Sequence, residues 1–94
     1  FFITFSCYSN IGRYPFGAQQ ISIGSGCTSL GTVAHEIGHA LGFFHEQSRY
    51  DRDDYVRILG ENIEAGYSNQ FTKRSSNIIE TYGVPYDFGS VMHY

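Results

Sequence analysis

Apolar residues follow a helical spacing along one stretch of the chain. Steps of three and four, which mark one face of an α-helix, join five apolar residues: Leu30, Val33, Ala34, Ile37 and Leu41. We therefore predict an amphipathic helix over residues 30–41. Gly42 follows at the position where helices commonly end in a left-handed residue.

The remaining patterns predict shorter elements. Residues 1–6 are β-branched and aromatic, and residues 19–24 alternate apolar and polar side chains, so both segments are predicted to be strands. Weaker patterns predict a short strand at residues 55–59 and a helix at residues 61–71. Residues 78–82 fit an extended or a helical backbone equally. Loops or surface turns are predicted for three segments: residues 8–17, 49–54 and 73–76.

Composition and charge exclude some classes of function. Hydrophobic residues make up 41% of the chain, and its longest apolar run is three residues, against the roughly 18 needed for a membrane-spanning helix. The net charge of −3 provides no basic surface for nucleic acid. We therefore expect a globular domain that does not bind nucleic acid.

The predicted helix has an unusual polar face. Glu36 is its only charged residue, whereas surface helices usually carry several Lys, Arg and Glu side chains opposite the apolar stripe. Small residues and histidines stand there instead: Gly31, Thr32, His35, Gly38, His39 and Gly42. We therefore expect this face to line a site.

His35, Glu36 and His39 form the motif HExxH. Residues four apart lie one turn apart on the same side of a helix, so the two imidazoles can bind one metal ion. Glu36 stands between them, where it can reach a metal-activated water without being a ligand. This is the arrangement of a zinc site with a general base.

The motif continues as HExxHxxGxxH, which is far more specific than HExxH alone. Gly42 lets the chain leave the helix sharply, and His45 can then return as a third ligand. Three imidazoles leave the fourth zinc position to water, as in catalytic rather than structural sites. His93 belongs to no such array and is not assigned to the metal.

Cys7 and Cys27 are the only cysteines. A disulfide between them would close a loop of about 20 residues and contribute roughly 3 kcal/mol in the chain-entropy model. Two buried free thiols of a cytosolic protein are the alternative that the residues alone leave open.

The extended zinc motif and three further segments resemble the astacin family of metzincins. Residues 45–55, HEQSRYDRDDY, resemble the family's signature after the third histidine, and residues 86–94, YDFGSVMHY, resemble its Met-turn. Residues 17–23 resemble the substrate-binding edge strand. The likeness extends over essentially all 94 residues.

The resemblance implies an α+β, zincin-like fold with a twisted sheet and an active-site helix. Residues 1–94 would then be part of the upper lobe plus the Met-turn of a two-lobed catalytic domain, truncated at both ends. The implied protein is a secreted or membrane-tethered endopeptidase with one zinc ion per catalytic domain, made with a signal and a pro-segment. It would hydrolyse extracellular proteins or peptides.

The same resemblance implies roles for individual residues. Met92 is the apolar floor beneath the metal, and Glu46 communicates with the N-terminus that activation liberates. Tyr94 approaches the zinc as a fifth ligand and then stabilises the oxyanion. A Cys7–Cys27 disulfide is also implied.

Substrate is expected to align on the edge strand by main-chain hydrogen bonds, at residues Gln20, Ile21, Ser22 and Ile23. Two alternatives stay open at this point. One is a non-catalytic module that keeps the zinc, and the other is a different metzincin family.

Overall fold

The computed structural model describes residues 6–94, which divide into two compact units. The first unit ends at Phe44, and the second spans His45–Tyr94. The strand predicted at residues 1–6 lies outside the described residues except for Ser6, which is not in a strand.

The first unit is a two-stranded antiparallel sheet with one helix. Strand β1 (Cys7–Ser9) pairs with strand β2 (Ile21–Ile23), and helix α1 (Leu30–Ala40) packs against both strands. Strand β2 confirms the prediction for residues 19–24. Strand β1 overlaps the predicted loop at residues 8–17, because pairing with a strand 14 positions away, as between Tyr8 and Ser22, leaves no local signal.

A disulfide joins Cys7 to Cys27, whose Cα atoms are 5.9 Å apart. Cys27 is almost completely buried. The bond ties β1 to the segment that leads into α1, and it confirms the disulfide alternative over free thiols.

Helix α1 begins and ends as its sequence predicts. The Ser29 hydroxyl accepts a hydrogen bond from the Thr32 backbone N–H (3.2 Å) and caps the first turn. At the other end Gly42 has φ +106°, a conformation that glycine adopts without a Cβ clash. The predicted helix is confirmed to within one residue.

Burial on α1 does not follow its apolar stripe, of which Val33 and Ala34 are only half-buried. Leu30 is 87% exposed, and Ile37 and Leu41 are also exposed. Buried residues of α1 lie on the polar side instead: His35, Glu36 and His39. The expectation that this polar face lines a site agrees with its burial.

The second unit contains short 3₁₀ turns rather than longer elements: Glu46–Ser48, Arg52–Asp54, Gly60–Asn62 and Ser68–Phe71. The predicted strand at residues 55–59 is wrong, because no strand is assigned there. The predicted helix at residues 61–71 is also wrong. Gly66 interrupts it with φ +90°, which ends helical hydrogen bonding between the last two turns. Residues 78–82, left undecided by the sequence, contain a turn and no regular element.

Within residues 6–94 we find no helix with the length and apolar character required to cross a bilayer.

Candidate metal centre

Two of the predicted metal ligands lie one turn apart on α1. The imidazole rings of His35 and His39 have centroids 4.6 Å apart and nearly perpendicular planes. Both residues are buried. The helix therefore places two candidate nitrogen ligands on one face, as the four-residue spacing predicts.

A hydrogen-bonded turn leads the chain out of α1 toward His45. The Gly42 N–H donates to the His39 carbonyl (2.9 Å), and the Phe43 N–H donates to the Gly38 carbonyl (3.0 Å). This pair of bonds is a Schellman motif, which requires the left-handed residue at position 42. The His39 carbonyl also accepts a hydrogen bond from the Gly12 N–H (2.8 Å).

Three histidines come together after this turn. The ligand nitrogens that His35, His39 and His45 offer all lie within 4.8 Å of one another. Three imidazoles at this separation suit zinc, which is bound by histidine nitrogen at about 2.0–2.1 Å. The three predicted ligands thus form one candidate zinc site.

The His39 ring is oriented by the turn that follows it. Its Nδ1 lies 2.8 Å from the Phe43 carbonyl oxygen. Because a carbonyl only accepts, Nδ1 carries the proton and donates, which leaves Nε2 for a metal. Such a second hydrogen bond is typical of metal-binding histidines, and the sequence motif does not indicate its partner.

Glu36 is buried on the same helix. It is 6% exposed, and among residues 6–94 its Oε2 atom is buried without a hydrogen-bond partner. Burying a carboxylate oxygen without a hydrogen-bond partner costs free energy, unless a ligand or a water molecule supplies the missing contact. Beside three histidines, this donor set fits a catalytic zinc site with a base.

Glu46 connects the segment after His45 to the predicted Met-turn within the second unit. Its N–H donates to the Met92 carbonyl (2.9 Å), and its Oε1 accepts from the Asp87 N–H (2.9 Å). Met92 is buried. The role predicted for Glu46 concerns an N-terminus, and these contacts leave that role a prediction.

Arg49 is a buried cation that holds two loops of the second unit together. Its guanidinium donates to both carboxylate oxygens of Asp51 (2.9 and 2.8 Å) and to Glu46 Oε1 (3.2 Å). It also donates to the carbonyls of Val84 (3.0 Å) and Pro85 (3.2 Å). The prediction of a surface turn at residues 49–54 is therefore wrong for Arg49.

These contacts shift several pKa values. The hydrogen bond from Arg49 lowers the pKa of the Asp51 carboxyl, and the same bond raises the pKa of Arg49. Burial raises the pKa of the Tyr86 phenol. The Arg49–Asp51 pair is therefore charged throughout the neutral range.

Tyr94 lies beside the third predicted ligand. Its ring centroid is 4.5 Å from that of His45, and the ring is tilted by 49°. The residue is 61% exposed, whereas its backbone N–H donates to Gln47 Oε1 (3.2 Å). Tyr94 is thus a largely exposed residue whose ring lies beside His45.

His93 is not among the clustered histidines. Its Nδ1 donates to the Tyr94 carbonyl (2.6 Å), and its Nε2 shares a hydrogen bond with the Tyr86 hydroxyl (2.7 Å). Both ring nitrogens of His93 are therefore hydrogen bonded to other groups of the second unit.

The predicted substrate-binding residues Ile21, Ser22 and Ile23 make up β2, and Gln20 directly precedes it. In the described part of the chain the sheet contains only β1 and β2. β2 is thus an edge strand of this sheet, which leaves substrate alignment there a prediction.

Comparison with known proteins places the chain in one family. The sequence model of the Astacin peptidase family matches residues 1–94. Zinc metalloproteinase nas-34 of Caenorhabditis elegans is 67% identical over 88 residues, which cover 94% of this chain and 14% of that protein. Blastula protease 10 of Paracentrotus lividus is 51% identical over 94 residues, which cover 100% of this chain and 16% of that protein.

A solved structure agrees in fold. High choriolytic enzyme 1, a hatching enzyme zinc-protease from Oryzias latipes, superposes with a TM-score of 0.87 and 46% identity, over 97% of this chain and 44% of that chain. This match confirms the predicted α+β, zincin-like fold, and the family match decides against another metzincin family. The chain spans about one seventh of the length of the curated relatives that it matches. With its histidine cluster, its disulfide and these matches, the chain belongs to the Astacin family of peptidases.

Proposed function

We propose that this chain is the zinc-binding part of an endopeptidase that hydrolyses peptide bonds in proteins or peptides. The convergence of the ligand nitrogens of His35, His39 and His45 within 4.8 Å carries the proposal. The family is one of peptidases, and the named relatives include zinc metalloproteinases. The buried Glu36 beside the cluster favours an enzyme over a module that only binds zinc.

His35, His39 and His45 would hold the zinc, which when bound supplies Lewis-acid activation of water and of the scissile carbonyl. Glu36 Oε2 accepts one proton from the attacking water while the water oxygen forms a bond to the carbonyl carbon. Glu36 then returns that proton to the leaving amine as the C–N bond breaks. The carboxylate is thereby restored for the next turnover.

Tyr94 would stabilise the negative charge that develops on the carbonyl oxygen. Its exposed phenol beside His45 supports a hydroxyl that donates a hydrogen bond to this oxyanion. The edge strand β2 would align an extended substrate through main-chain hydrogen bonds, the strand-addition mode of peptide recognition.

The proposal includes two further properties, which are the extent of the catalytic domain and the location of the protein. Residues 1–94 form part of a longer peptidase domain, which the 44% coverage of the hatching enzyme chain supports. The protein works outside the cell, and the Cys7–Cys27 disulfide supports this, because such bonds persist in oxidising compartments.

The proposal is tested on the full-length protein by elemental analysis and by casein digestion. We expect about one zinc per catalytic domain, loss of digestion with a zinc chelator, and recovery when zinc is restored. Protein without stoichiometric zinc would refute the metal site. Zinc binding without digestion of casein or gelatin would favour the non-catalytic module.

Replacing Tyr94 with phenylalanine tests the oxyanion role. We expect kcat to fall about 10²- to 10³-fold, the usual cost of one oxyanion donor, with zinc content kept and KM changed only a few-fold. Tyr82→Phe is the matched control, because Tyr82 is exposed and lies outside the predicted site. A raised KM with an unchanged kcat would mean that Tyr94 only holds substrate.

A further inference from the structure

Gln47 is a fully buried polar side chain in the second unit. Its exposure is 0%, and both ends of its carboxamide are hydrogen bonded. Oε1 accepts from the Tyr94 backbone N–H (3.2 Å), and Nε2 donates to the Gln70 carbonyl (3.4 Å). Burying an amide is costly unless such bonds are made, so the position of Gln47 is closely defined.

Through this side chain, the turn that follows His45 contacts the end of the predicted Met-turn. Gln47 belongs to the 3₁₀ turn Glu46–Ser48 and bonds a residue 47 positions later. Next to it, the Glu46 N–H donates to the Met92 carbonyl (2.9 Å). Two hydrogen bonds therefore fix the backbone at positions 92 and 94 against this turn.

The two parts of Tyr94 differ in their surroundings. Its backbone N–H donates to the buried Gln47 Oε1. The residue as a whole is 61% exposed, and its ring lies beside that of His45. An anchored backbone confines the phenol to the positions that side-chain rotation allows. Catalytic groups depend on such confinement, because a misplacement of about 1 Å can cost 10²-fold in rate.

We propose that Gln47 is a positioning residue for Tyr94, fixing the backbone from which the phenol reaches the developing oxyanion. The inference rests on the proposed function, since the catalytic role of Tyr94 belongs to that proposal. Gln47 itself does not touch substrate.

The chemistry of glutamine explains why this residue type suits the position. Methionine has a similar length but offers the Tyr94 N–H no carboxamide oxygen. Glutamate keeps an acceptor for that N–H and loses the donation to the Gln70 carbonyl. Comparing Gln47→Met with Gln47→Glu therefore separates the contact with Tyr94 from the contact with Gln70.

The test measures kcat, KM, zinc content, thermal melting and amide hydrogen exchange at Tyr94 in the full-length protein. For Gln47→Met we expect faster exchange at the Tyr94 N–H and a kcat about 10- to 100-fold lower, with KM and zinc content kept. Gln47→Glu should retain slow exchange and most of kcat. Gln70→Met is the matched control, because it keeps the Gln70 backbone carbonyl and should leave both measurements unchanged.

A double-mutant cycle separates positioning from general destabilisation. If Gln47 acts through the Tyr94 hydroxyl, Gln47→Met should lower kcat little further in a Tyr94→Phe background. An equal loss of kcat in both backgrounds would overturn the proposal, as would unchanged exchange at Tyr94. If Gln47→Met does not melt cooperatively, fast exchange or a low kcat in a folded Gln47→Glu variant would also overturn it.

The exchange measurement does not depend on activity. If the unaltered protein shows no turnover, the proposed function fails, and the comparison of exchange rates still decides whether Gln47 holds Tyr94. If the unaltered protein is active and Gln47→Met keeps its kcat, only the positioning role fails.

Discussion

Replacing Glu36 with glutamine is expected to lower kcat about 10²- to 10⁴-fold, the usual contribution of a general acid–base group. The amide keeps the size of the side chain but cannot accept the proton of the attacking water. Zinc content should remain at the level of the unaltered protein, because the candidate metal ligands are the three clustered histidines and do not include Glu36. The measurements are steady-state kinetics on a peptide substrate and elemental analysis.

Glu64→Gln provides the matched control, because Glu64 is exposed and lies outside the predicted site. Its kcat should equal that of the unaltered protein. A Glu36→Gln variant that retains the full rate would show that the base lies elsewhere. One that loses zinc would show that the carboxylate helps to hold the metal.

Replacing His39 with alanine is expected to abolish both zinc binding and proteolysis. The change removes one of three nitrogen ligands, and it also breaks the contact between the ring Nδ1 and the Phe43 carbonyl. Removing a group that only orients a metal ligand typically lowers metal affinity about 10- to 100-fold. Removing the ligand itself should lower metal affinity further. Metal content after dialysis and casein digestion measure the result.

His93→Ala is the matched control for metal content, since His93 lies outside the cluster. It should retain stoichiometric zinc. If His39→Ala retained zinc while His93→Ala lost it, the ligand assignment would be wrong.

Local sequence signals predicted the elements that carry the site. The apolar spacing and the glycine at position 42 predicted α1 and its end, because helix geometry and left-handed glycine act over a few residues. The HExxH spacing likewise placed His35 and His39 on one face. Residues 61–71 were predicted wrongly, because their weak helical pattern yields to two separate 3₁₀ turns, and residues 55–59 form no regular element.

The exposure of the apolar residues of α1 and the burial of Arg49 did not follow from the same patterns. The sequence predicted an apolar stripe on α1, yet Leu30 and Leu41, at the two ends of that stripe, are exposed. The polar face was expected to line a site, and His35, Glu36 and His39 are buried. Arg49 was expected at the surface because it is charged. Its five hydrogen bonds to carboxylates and backbone carbonyls instead satisfy the guanidinium inside the second unit.

By itself, the sequence determined the helix and the three histidines with Glu36, since these follow from residues spaced within a few turns of one another. It also determined the family, through motifs along the whole chain. Tertiary structure alone decided the distant backbone partners of Gln47 and Arg49. The bonds that Gln47 and Arg49 make to distant backbone groups join positions 23 to 47 residues apart, and pairing at that distance leaves no periodic pattern in a single sequence. Such a hydrogen bond forms only when folding buries a polar side chain and brings a distant backbone group to it as a partner.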